Sequence, residues 1–203
     1  MAIEKYEKSE DGYEMQFAAC HVGHFLLTGL LLPLLEAGDA VNGKARVDSL
    51  TSMGYEASPV RDDWNFENGK TYDRWLAYGQ AKTAVILFTL AVSQQILSIE
   101  AIVVHPGLVL SSGIMQNVDM IVLGDAAKES KEQDESFEME QEKTLQQGCA
   151  TTLVACLDPG VKSGAFLRDC VEQTETLKSY AKDGERAKWL WELTEGLVAE
   201  KFP

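Results

Sequence analysis

Apolar positions along the chain fall into helical and strand-like runs that alternate. Over 13–35 they recur around most of a helical circumference, which predicts a long helix covered on two sides, by a sheet and by something else. Asp11 with Glu14 three positions later supplies a capping-box start, and Gly38 is the predicted stop. Residues 45–50 read as a short strand ended by Thr51-Ser52-Met53-Gly54, although Asp48 is a poor strand former. An irregular polar and aromatic excursion over 55–73 follows, with Pro59 and Gly69. A second long helix, apolar on more than one face, is predicted over 72–97. Ala101-Ile102-Val103-Val104-His105, closed by Pro106-Gly107, is the unbroken apolar run of a parallel strand buried on both faces. Then come a helix over 144–157 ended by Pro159-Gly160, a short strand over 164–167, and an amphipathic helix over 187–201 with Trp189, Leu190, Leu193 and Leu197 at helical spacing. This order is that of an α/β protein, with helices on both faces of a parallel sheet and all of 1–203 in a single domain.

Composition narrows the class without changing this architecture. A net charge of −14 opposes a broad basic surface for nucleic acid or an anionic membrane. The most apolar run, 25–35, spans eleven residues and contains Pro33, short of the roughly 20 that cross a bilayer, so no transmembrane segment is expected. Cys20, Cys149, Cys156 and Cys170 form no CxxC pair, and no leader is evident at the start. Free thiols in a reducing, cytoplasmic compartment are expected. Of 125–143, where eight acidic residues face three basic ones, a solvated helix is expected, with a lid over a pocket as the alternative.

Chemistry concentrates at Tyr78-Gly79-Gln80-Ala81-Lys82. Tyrosine and lysine four apart on a helix share a face, and an ammonium near a phenol favours the phenolate, making a tuned acid and base. The pair alone is weak, but Ser52 at one strand end and His105-Pro106-Gly107 at another can meet it at one sheet edge. A hydroxyl, a tuned phenol and an ammonium suit an alcohol and carbonyl redox centre, where a proton moves as a hydride does. Cys20, His21 and His24 lack the further ligands of an open metal site, so no metal is assigned.

The order Ser52, Tyr78-x-x-x-Lys82, His105-Pro106-Gly107 resembles the short-chain dehydrogenase/reductase family. Gln16-Phe17, His21-x-Gly23-His24-Phe25-Leu26-Leu27-Thr28, Ala77-Tyr78-Gly79-Gln80-Ala81-Lys82 and Ile86-Leu87-Phe88-Thr89 are similar to its retinol-dehydrogenase-like branch. The resemblance implies a Rossmann-like doubly wound sheet and an NADP (or NAD) cofactor. It implies Ser52, Tyr78 and Lys82 as catalytic residues, with Tyr78, Lys82, Pro106, Gly107 and Ser111 at the cofactor. Ser49 is the less favoured catalytic serine. Cys20 stands where the family usually has an asparagine of its proton relay. The family's opening βαβ unit with its glycine-rich turn has no counterpart here. About three strands flanked by helices are therefore expected, an N-terminally truncated sheet with apolar helix surface left bare. The implied partners are a hydrophobic alcohol or carbonyl compound and further copies of the chain in a homo-oligomer. The alternative is an inactive remnant serving as an interaction or dimerisation module.

Overall fold

A computed structural model describes all residues except 1, 43, 116–122, 125–126, 129–130, 133–134, 136–138 and 203. Three parallel strands form the sheet: β1 (Arg46–Leu50), β2 (Glu100–His105) and β3 (Phe166–Arg168). A two-residue strand, β4 (Val171–Glu172), adds antiparallel to β3, so the order is β1-β2-β3-β4. Asp48 does not break β1: its carboxylate accepts a hydrogen bond from Cys156 at 2.9 Å, which partly offsets its burial.

The four main helices are α1 (Gly23–Asn42), α2 (Arg74–Gln95), α3 (Leu145–Leu157) and α4 (Gly184–Val198). β2 is buried on both faces as its unbroken apolar run predicts: Ala101 and Val103 meet the α2 side, Ile102 and Val104 the α3 side. Burying each such aliphatic side chain contributes about 1.5–3 kcal/mol, so this strand anchors the sheet. On the α2 side, Phe17, Phe25, Phe88 and Trp191 join α1, α2 and α4 into one aromatic core.

The helix ends follow capping chemistry, with two departures from the sequence reading. Thr144 and Gln147 form a capping box at α3, and Asp73 and Asp183 cap α2 and α4. Glu14, not Asp11, caps the first helical turn (Met15–Phe17), its carboxylate accepting from the N–H groups of Gln16 and Phe17. α1 runs through Gly38 to Asn42, since a single glycine costs a helix only about 1 kcal/mol relative to alanine and does not by itself end it. Between Phe17 and α1 lies a π-helical turn, Ala18–Val22, a feature that often marks functional sites.

Much of 125–143, where a solvated helix or a lid is expected, lies outside the described residues, but its end does not. Residues 139–143 are extended rather than helical, with Lys143 N–H donating to Leu108 O at 2.8 Å. Apolar surface is bare on α1, where Leu27, Leu30, Leu31 and Leu34 are 40–70% exposed. Among the described residues, two stretches could cross a membrane by length and composition, Met15–Gly38 and Arg74–Gln95, which is longer than the eleven-residue run suggested. The second of these spends its apolar residues on the core.

Candidate active site

β1 ends at Leu50 and delivers Thr51 and Ser52 to the carboxyl edge of the sheet. Thr51 is buried and fixed twice: its N–H donates to Val104 O and its hydroxyl to Lys82 O, both at 2.9 Å. Ser52 then caps the 3-10 turn Met53–Ala57, its Oγ accepting from Gly54 N–H at 3.1 Å. That leaves the Ser52 hydroxyl proton free to be donated. Ser49 stays inside β1 in register with Val103, whereas Ser52 Oγ and the Tyr78 ring both lie beside Gly54.

Tyr78 lies one turn into α2, 5% exposed. Burial pushes its phenol up to about 12, the neighbouring Ser52 hydroxyl pulls the other way, and nearby Cys20 adds to the rise. Lys82 stands with its Nζ 5.8 Å from the Tyr78 ring centroid and donates to Leu50 O at 3.1 Å. The expected drop of the phenol toward neutrality is therefore not met in this structure. The ammonium is engaged by a carbonyl, and desolvation of a nearly buried phenol outweighs a charge at that distance.

Cys20 occupies the π-helical turn, and its carbonyl accepts from the His24 ring at 3.2 Å. His21 turns the other way, into the core, where its Nε2 meets Thr194 Oγ1 at 2.8 Å. The two histidines thus share no face that could hold a metal. Thr194 donates its hydroxyl to Leu190 O at 2.7 Å, so His21 is the donor to it and keeps a bare, buried Nδ1. Burial, then the neighbouring His24, lowers the His21 pKa to about 3.

At the end of β2, His105 Nε2 meets Glu140 Oε2 at 2.7 Å, and Arg168 from β3 reaches Glu140 Oε1 at 2.7 Å. Lys143 pairs with Asp169 and lays its side chain over Gly107, whose φ of +85° requires glycine. Burial alone would raise the Glu140 carboxyl, but the His105 hydrogen bond and the charges of His105, Arg168 and Lys143 hold it below the usual range. Ser111, with Glu142 to Gln146 at the start of α3, lines a hollow of about 440 Å³ beside this strap. The sequence offered no sign of Glu140 or Arg168 as partners, because they meet His105 across 35 and 63 residues of chain.

Ser52, Tyr78 and Lys82 are therefore brought together at the end of β1, and Pro106, Gly107 and Ser111 follow the end of β2, the adjacent strand. Tyr78 and Lys82 put a phenol and an ammonium on one helix face, donors of the kind a dinucleotide ribose takes, while Gly107 beyond the neighbouring strand lies under the Lys143 side chain.

No family model matches the chain. Retinol dehydrogenase 14 of Homo sapiens is 32% identical over 199 residues, covering 95% of this chain and 54% of that protein. Short-chain dehydrogenase TIC 32 A, a chloroplastic protein of Brassica napus, is 31% identical over 209 residues, covering 98% and 61%. Short-chain dehydrogenase/reductase prx1 of Penicillium roqueforti is 33% identical over 201 residues, covering 92% and 56%. The crystal structure of an uncharacterized protein from Mycobacterium paratuberculosis superposes with a TM-score of 0.70 at 28% identity, over 100% of this chain and 65% of its own. The chain spans about half the length of the curated relatives it matches. With its Ser52, Tyr78 and Lys82 assembled at one sheet edge of an α/β fold, the chain belongs to the short-chain dehydrogenase/reductase family, in its retinol-dehydrogenase-like branch.

Proposed function

We propose that the chain carries the catalytic portion of an oxidoreductase that interconverts an alcohol and a carbonyl on a hydrophobic small molecule. The observation that carries this reading is the convergence of Ser52 Oγ and the Tyr78 ring on Gly54 at the carboxyl edge of β1, with Lys82 one helical turn away. A bound nicotinamide dinucleotide, NADP in preference to NAD by analogy with the branch, supplies or accepts the hydride. Tyr78 and Lys82 offer donors to its ribose hydroxyls, while Pro106, Gly107 and Ser111 form its ledge. Ser52 donates a hydrogen bond to the substrate oxygen and orients it. As the carbonyl carbon is reduced, Tyr78 gives its phenolic proton to that oxygen, and the phenolate is reprotonated from solvent. A phenol pushed up to about 12 is protonated at neutral pH, the form needed for this reducing direction.

Titration of the 203-residue chain with NADPH and then NADH, following nicotinamide fluorescence and melting temperature together, tests the reading. Saturable binding in the micromolar range is expected. Replacing the acid, Tyr78→Phe, should lower turnover by about 10²–10⁴-fold while leaving nucleotide affinity nearly unchanged. Retained turnover would remove Tyr78 from its role. A second reading, a non-catalytic interaction module, draws on the exposed leucines of α1 and is favoured if the folded chain binds neither nucleotide.

A further inference from the structure

Ser52 and Tyr78 sit on different elements, so how near the serine hydroxyl comes to the phenol depends on how closely the Met53–Ala57 turn packs on α2. Two glycines stand at that junction, and neither has the positive φ that would demand glycine for conformation. Space demands it instead. A Cβ at Gly79 would lie 2.8 Å from Gly54 O, 2.9 Å from Ser58 N and 3.0 Å from the Ala57 Cβ, two of them backbone atoms that cannot step aside. A Cβ at Gly54 would lie 2.7 Å from Cε1 and 2.9 Å from Cδ1 of the Tyr78 ring, and 3.4 Å from Ser52 Oγ. The turn thus rests on the bare backbone of Gly79, and the Tyr78 ring rests on the bare backbone of Gly54. Thr83 locks the arrangement, its hydroxyl donating to Ser58 O at 2.7 Å and Tyr55 O at 3.1 Å.

We propose that Gly54 and Gly79 are a reciprocal pair of positioning residues that set the approach of the Ser52 hydroxyl to the Tyr78 phenol. The proposal rests on the reading of Ser52 and Tyr78 as the reacting pair. A methyl group at either glycine wedges the turn away from α2, and Ser52 moves with the turn. Helix propensity alone makes the opposite forecast for Gly79→Ala, since alanine is the better helix former.

The test uses the whole chain labelled with [13Cζ]tyrosine, the Tyr78 resonance being assigned by its loss in Tyr78→Phe. Ser52→Ala supplies the shift of a Tyr78 without its serine partner. Gly38→Ala, with nothing within 4 Å of the added carbon, serves as the control. In Gly79→Ala the Tyr78 resonance should move to its Ser52→Ala position, and turnover should fall on the order of 100-fold, in kcat rather than KM, as for a displacement of roughly 1 Å. A wild-type resonance and turnover within about twofold of wild type, judged against a loss of that size, overturn the proposal. Should Gly79→Ala fail to fold, Gly54→Ala decides by the same criteria, because the atoms nearest its methyl belong to a ring and a hydroxyl and not to backbone. A wild-type chain without turnover defeats the functional reading, while the resonance still decides the positioning.

Discussion

At Tyr78 the contest between charge and burial is decided by a few ångströms. The four-residue spacing to Lys82 was legible because helical geometry is local. The Leu50 carbonyl that engages the ammonium was not, since it arrives from 32 residues away. His21 shows the same limit: the sequence places it on α1's approach, but only packing makes it a buried neutral ring beside Phe17, Phe25 and Phe88. Its pKa of about 3 lies below the ordinary 6.5, so the stability it contributes is complete above pH 6.5 and is lost as pH falls toward 3. Melting temperatures of wild type and His21→Phe, measured between pH 7 and 4, should converge or cross, because the variant keeps the aromatic cage and loses the titration. Thr194 still has Leu190 O to donate to in the variant. Parallel curves would show that His21 charges without cost in the folded chain.

Among the elements, capping and period located every main helix and all three parallel strands, while long-range ties set the irregular parts. The 55–73 excursion carries no period, yet Gln80 fixes it to α2 by accepting from Arg61 N–H at 3.1 Å and donating to Trp64 O at 2.8 Å. The 139–143 strap is similar. Its glutamates read as solvated charge, but Glu140 is bound on one side by His105 and on the other by Arg168. Removing the carboxylate leaves His105 with no partner for either ring nitrogen, a loss of about 1–3 kcal/mol. Glu140→Ala should therefore speed hydrogen exchange at Lys143 N–H by about tenfold or more, with β2 amides unchanged. The same clasp should hold fully above about pH 4.5, the ordinary value, and loosen as pH falls through the lower folded-state value. Unchanged exchange in Glu140→Ala would mean that the Lys143 to Asp169 pair holds the strap alone.

For the whole molecule, the alternation of apolar runs was enough to derive a parallel sheet with helices on both faces, because each crossover needs a helix of its own. What covers those helices is a property of the assembled surface, and α1 is where it shows. Leu27, Leu30, Leu31 and Leu34 fall at i, i+3, i+4 and i+7, a stripe of the width that normally faces a core, yet they are 53%, 62%, 40% and 70% exposed. A water-facing surface on a chain of net charge −14 has no need of such a stripe, and repulsion between like-charged copies opposes pairing through it. Complete burial of a leucine is worth about 1.5–3 kcal/mol, so eight half-exposed leucines from two copies supply roughly 6–12 kcal/mol. Association itself costs about 4–15 kcal/mol, which leaves a weak, concentration-dependent and salt-strengthened contact. Light scattering across the micromolar-to-millimolar range should show the mass rising with concentration and with added salt. The double change Leu30→Gln and Leu34→Gln, which adds no charge, should hold the chain at the mass of one copy. A wild-type chain that stays at that mass throughout would show that the stripe is tolerated bare, and would withdraw the interaction-module reading along with the homo-oligomer.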